Sequence, residues 1–189
     1  MKNKIINIIE DSILIKKEIV KNQIPIILKI TKTIEDCFKK NGKLILCGNG
    51  GSASDAQHLA AEFVGRFQKE RRGLPAISLT TNTSTLTALS NDYGYDIVFS
   101  RQIEALANKN DIVIGISTSG KAKNVIQAIK IAKKNRIKTI ALTGGNGGEL
   151  ARISDISLVV PSNITARIQE THILIGHIIC ELVENNLFK

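Results

Sequence analysis

Five short apolar runs, KLILCG (43–48), PAISLTT (75–81), DIVIGIS (111–117), KTIALTG (138–144) and ISLVVPS (156–162), recur along this chain between stretches of helical periodicity. They are rich in β-branched residues, and several end in Gly, Ser, Thr or Asn just where a helical pattern begins. Continuous rather than alternating apolar strands are buried on both faces, and strands alternating with helices pair in parallel. The pattern therefore predicts an α/β fold, a three-layer α/β/α sandwich around a five-stranded parallel sheet. Ahead of it, residues 1–41 read as helical, with apolar positions at Ile5, Ile8, Ile9 and Ile13. Pro25 should divide this segment into two helices, and Asn41-Gly42 should end it. A long helix is expected over residues 164–187. With 189 residues, no low-complexity tract and no linker, the whole of 1–189 reads as one domain.

In such sheets ligands sit beyond the carboxyl ends of the strands. That rule points to CGNGGS, ISTSGK and ALTGGNGG as the loops to inspect. CGNGGS lacks the G-x-G-x-x-G spacing. STSGKA is no P-loop, because Ala122 stands where a magnesium-binding hydroxyl is needed. Neither a dinucleotide nor a nucleoside triphosphate is supported, and no nucleotide cofactor is expected. Ser117, Thr118 and Ser119 nevertheless offer three adjacent hydroxyls before a helix, which suits a phosphate; an ordinary helix cap would use the same residue types. ALTGGNGG reads as a flexible structural turn.

Formal charge is +9, yet aromatic residues make up only 4% and the lysines are dispersed. A nucleic-acid surface would carry a reading motif or stacking aromatics, so no nucleic-acid partner is expected. No segment is apolar enough to span a membrane, and the N-terminus lacks the features of a signal peptide. Cys37, Cys47 and Cys180 are scattered and odd in number, which reads as reduced thiols and a cytoplasmic location.

The three histidines narrow the chemistry. His58 and Glu62 are four apart on the helix after CGNGGS and share its face with Asp55. Gln169 and His177 can address one cleft from the C-terminal helix. A carboxylate facing an imidazole can move a proton next to a carbonyl; two imidazoles, a carboxylate and an amide oxygen can instead hold zinc. Buried histidines with local hydrogen bonds would satisfy the same spacing.

CGNGGSASDAQHLAAEFVGRF, ALSNDYGYDIVFSRQIEALA, GISTSGKAKNVIQAI and TARIQETHILIGHIICELVE, in this order, resemble the phosphoheptose isomerases, which are built on the sugar-isomerase (SIS) domain. The likeness covers almost the whole chain. It implies conversion of sedoheptulose 7-phosphate to D-glycero-D-manno-heptose 7-phosphate, in the cytoplasm, on the way to lipopolysaccharide cores or related glycans. It further implies Glu62 as the base and His177 as its acid partner, with zinc on His58, Glu62, Gln169 and His177. Substrate contacts would fall to Asn49, Gly50, Gly51, Ser52, Glu62, Asn91, Asp92, Ser117, Thr118, Ser119 and Gln169. The family assembles as homotetramers with active sites at subunit interfaces, where residues 1–41 would pack. One departure is Ala122, since many members carry a second phosphate-binding serine there. A non-enzymatic relative that binds the DnaA initiator shares the likeness, but Glu62 and His177 together favour an enzyme. A sugar-sensing transcription regulator would need a DNA-reading head that 40 residues scarcely supply.

Overall fold

The computed structural model describes residues 1–188. Two helices, α1 (Lys2–Asn22) and α2 (Ile24–Lys39), precede the first strand. The break falls at Gln23, and Pro25 sits in the first turn of α2, where its missing N–H costs nothing. Asn41 ends the segment in the left-handed region with φ 57°, which an asparagine accepts more readily than most side chains.

The remaining elements run β1 (Leu44–Gly48), α3 (Gly51–Val64), β2 (Ala76–Ser78), α4 (Thr83–Tyr93), a 3₁₀ turn (Tyr95–Ile97), α5 (Val98–Leu106) and β3 (Ile112–Ser117). They continue as α6 (Lys123–Lys134), β4 (Lys138–Gly144), α7 (Gly148–Ile153), β5 (Ile156–Val160) and α8 (Thr165–Leu187). All five strands are parallel, in the order β2-β1-β3-β4-β5. The expected sheet is therefore present. PAISLTT contributes only three residues of strand at one edge, because the chain leaves the sheet after Ser78.

Alternation along the strands sorts the core into two layers. Leu44, Leu46, Ile114, Ile116 and Leu142 meet α2, α3 and α8 on one face. Ile45, Cys47, Val113 and Ala141 meet α5, α6 and α7 on the other. α8 thus lies beside α3, and Gly176 permits the approach, since a side chain there would run into Leu59. The strand order reverses between β1 and β3, which opens a crevice at their carboxyl ends. The loops CGNGGS and ISTSGK flank that crevice.

All three cysteines are buried and unpaired. Burial pushes the thiols of Cys37, Cys47 and Cys180 each up to about 12, too high for nucleophilic work at neutral pH. No helix among the described residues is long and apolar enough to cross a membrane.

Candidate active site

The chain leaves β1 at Gly48 and turns directly into α3. Gly50 takes φ 55°, a region that suits a residue without Cβ, and Ser52 N–H donates to the Asn49 carbonyl at 3.0 Å to close the first turn. Ser52 itself is buried beneath that turn. A side chain at Gly51 would collide with the amide of Gln169, so this glycine lets α8 bring Gln169 against the loop backbone. Asn49 and Asn124 exchange amide hydrogen bonds, each 2.9 Å, and Tyr95 donates its hydroxyl to Asn49 Oδ1 at 3.2 Å. The first residues of α6 are thereby fastened to the β1 loop across the crevice.

Two to three turns along α3 and about three along α8, three side chains converge. The Nε2 atoms of His58 and His177 lie 2.9 Å apart, and His58 Nε2 is 3.3 Å from Glu62 Oε1. The imidazoles meet edge to face, with ring centroids 5.1 Å apart. His58 is 47% exposed and Glu62 21%, so the cluster is open to small molecules. Two imidazole nitrogens and a carboxylate oxygen, all within 4.8 Å of one another, form a ligand set suited to a divalent ion. Bonds of 2.0–2.1 Å in a tetrahedral zinc site put donor atoms about 3.3 Å apart, so the spacing fits after small side-chain shifts. Asp55, a turn earlier, has one carboxyl oxygen buried without a partner; burial raises it to about 6, and the nearby His58 partly offsets the rise.

The third histidine behaves differently. His172 is 1% exposed, and its Nε2–H donates to the carbonyl of Thr143 at 3.0 Å. Burial lowers it to about 4, although the Thr143 carbonyl opposes the fall, so it stays neutral. Folding then favours the neutral ring. Stability from this group is complete above the unfolded value near 6.5 and is lost as pH falls towards 4. We expect roughly 3 kcal/mol of acid destabilisation over that window. Denaturant melts at pH 7 and pH 4.5 should show it, and His172→Gln should flatten the dependence; equal slopes in both proteins would contradict it.

At the end of β3, Ser117 is buried, while Thr118 and Ser119 line a cleft of about 300 Å³ together with Lys121, Asn146, Ser162 and Asn163. The three hydroxyl residues are not helix caps. α6 begins only at Lys123, with Ala122 as an N-cap lacking any side-chain bond. Ser119 Oγ instead accepts the N–H of Lys121 at 3.2 Å. Gly120 has φ 63°, and a Cβ there would strike the carbonyl of Gly147, so the glycines of ALTGGNGG are where two loops touch. That supports their structural reading, while Asn146 also borders the cleft. Ala122→Ser should restore a cap worth about 1 kcal/mol. It should also tighten phosphosugar binding from a few-fold to about tenfold through one added donor. Calorimetry on the variant checks both; unchanged affinity would mean that position 122 faces no phosphate.

Asn91 and Asp92 lie exposed on the last turn of α4, and among the described residues their side-chain hydrogen bond is to each other, at 2.9 Å. They join the site only indirectly, through the following 3₁₀ turn and Tyr95. Four residues went unassigned in the sequence: Asn124 and Tyr95, which hold Asn49, and Arg71 and Glu184, which tie α3 to α8. Their partners are distant in the chain and no motif flags them. Another cleft, of about 490 Å³, lies at the opposite end of the sheet. Its acids Asp36, Asp111 and Asp155 are already paired with lysines, and of its basic residues Lys40 and Lys133 sit at helix C-termini, where they balance the helix dipole.

Comparison with known proteins bears on the family and the fold. The SIS domain family matches residues 9–144. A phosphoheptose isomerase of Roseiflexus is 54% identical over 98% of this chain and 94% of its own length. One from Sulfurimonas denitrificans is 53% identical, covering 100% of this chain and 97% of its own. The solved phosphoheptose isomerase of Neisseria gonorrhoeae superposes with a TM-score of 0.93 at 43% identity, over 97% of this chain and 98% of that one.

Proposed function

This chain belongs to the SIS-domain family, among its phosphoheptose isomerases, and on that premise we propose that it interconverts sedoheptulose 7-phosphate and D-glycero-D-manno-heptose 7-phosphate for glycan synthesis, with Glu62 and His177 moving the protons. The observation that carries the residue roles is the meeting of His58, Glu62 and His177 from two helices beside the β1 loop.

The substrate's phosphate binds at Thr118 and Ser119, with the backbone and hydroxyl of Ser117 behind them, and Lys121 adds charge. Asn49, Gly50 and Gly51 let the backbone approach the sugar, Ser52 closes the turn beneath it, and Gln169 donates from α8. Asn91 and Asp92, on α4, would add the substrate contacts that the family resemblance implies. In the open-chain ketose, Glu62 removes a proton from C1 and leaves a cis-enediol. The same carboxyl returns the proton to C2, giving the aldose, while His177 gives and takes the protons on the two oxygens. A carboxylate has two oxygens, so Glu62 can turn one towards the imidazoles and keep the other for carbon.

His58, Glu62, Gln169 and His177 would hold zinc. When bound, zinc supplies a positive charge beside the substrate oxygens and so eases proton loss from the adjacent carbon. Chelation should lower turnover by at least about tenfold and added zinc should restore it, an effect in the range of single electrostatic contributions. Full activity in metal-free protein would remove zinc from the reading. The reading also places the enzyme in the cytoplasm, which suits its unpaired thiols.

A homotetramer is part of the proposal. Only Ile19 of α1 is buried, whereas Ile5, Ile9, Ile13 and Leu14 are 54%, 53%, 45% and 59% exposed. An apolar helix face of this kind calls for cover by another copy. Sedimentation as a monomer would contradict it.

A further inference from the structure

Residues 65–73 run from the end of α3 across α8 before the chain enters β2, and two nearly inaccessible side chains tie them down. Arg71 and Glu184 have side chains only 2% and 1% exposed, and Arg71 Nε donates to Glu184 Oε2 at 2.7 Å. The rest of the guanidinium serves the end of α3: Nη2 donates to the Glu62 carbonyl at 3.0 Å, and Nη1 to those of Phe63 and Gly65 at 3.0 and 3.1 Å. Helix C-termini leave such carbonyls without partners, so an arginine here replaces the missing turn. On the other side, Glu184 accepts the backbone N–H groups of Phe67, Gln68 and Lys69 at 3.0, 2.8 and 2.7 Å.

The clasp reaches the chemistry at three points. Arg71 bonds the carbonyl of Glu62 itself. Glu184 lies seven residues beyond His177, about two turns, and hence on the same face of α8. Phe67, whose N–H is held by Glu184, places its ring against the His177 imidazole with centroids 5.5 Å apart. Cys180, one turn beyond His177, fills the space between, close enough to feel the charges of Glu62, Arg71 and Glu184.

We infer that Arg71 and Glu184 are positioning residues for the acid–base pair: they set the separation of α3 and α8 at Glu62 and His177, and they pin Phe67 on the His177 ring. The clasp stays closed at working pH. Burial by itself would raise the Glu184 carboxyl, but three backbone N–H groups and the Arg71 guanidinium outweigh it and hold the group at about 2. Its stabilising charge is therefore complete above its ordinary value of 4.5 and is lost only as pH falls towards 2.

A merely structural clasp would change thermal stability and nothing else. The inference rests on the isomerase reading for its kinetic arm alone, so a second readout is independent of turnover. The chain has three histidines, which give three imidazole signals by NMR, with buried His172 as an internal control for folding. The variants are Glu184→Gln, which keeps shape and removes charge, and Arg71→Lys, which keeps charge and loses the fork. In whichever variant retains the wild-type His172 signal, kcat should fall at least about tenfold with KM within about twofold, as expected when only catalytic geometry is disturbed. The His177 signal should move with loss of the Phe67 ring contact. A folded variant with kcat within about twofold of wild type and an unmoved His177 signal overturns the inference. If wild-type protein fails to turn over, the isomerase reading falls, and the His177 signal by itself decides for or against the clasp.

Discussion

Glu62→Gln is expected to reduce turnover of sedoheptulose 7-phosphate by about 10³-fold or more, while binding of the phosphosugar stays within about threefold of wild type. The substitution keeps the length and one oxygen of the side chain, so the packing of α3 on α8 survives. It removes the only carboxylate of the cluster, whose Oε1 lies 3.3 Å from His58 Nε2, and an amide cannot accept a proton from carbon. Binding should persist because the proposed phosphate contacts, Thr118 and Ser119, line a cleft just after β3, away from α3. A variant with a tenth of the wild-type rate would show that Glu62 serves as a ligand or a spectator and that another group is the base. Isothermal titration beside steady-state kinetics separates the two quantities.

His177→Gln should cost about 10²–10³-fold in kcat, within the range for a single general acid. Its Nε2 faces His58 at 2.9 Å, and its ring is walled by Phe67. The variant should also bind zinc more weakly, since one of the two imidazoles is lost. His172→Gln is the matched control. That ring is sealed from solvent and bonded to the Thr143 carbonyl, so its replacement should alter stability and acid sensitivity, with kcat within about threefold. Equal losses at the two positions would mean that the wrong imidazole carries the proton.

Much of this was legible in the chain. The β-branched runs ending in turn residues fixed a parallel sheet, because a strand buried on both faces has no use for alternation. The sheet then dictated where ligands bind. His58 and Glu62 were legible as a pair because i and i+4 share a helix face. Their meeting with His177 came from the family resemblance and not from spacing, since it depends on Gly176 letting α8 close on Leu59, a contact between segments more than 100 residues apart. The Asn49–Asn124 bond and the Arg71–Glu184 pair were hidden for the same reason: each joins two unremarkable polar residues through tertiary packing. Spacing left Ser117, Thr118 and Ser119 open between a phosphate site and a helix cap, and the cap alternative falls because the turn at Gly120 delays α6 until Lys123.

The most direct measurement is NMR of sedoheptulose 7-phosphate incubated with the purified, zinc-loaded protein in D₂O. The expected result is heptose 7-phosphate carrying solvent deuterium at C2, because a proton held on partly exposed Glu62 exchanges with water before it returns to carbon. Folded protein that forms no heptose phosphate would contradict the account, and product with protium alone at C2, formed equally well by Glu62→Gln, would contradict proton transfer by Glu62.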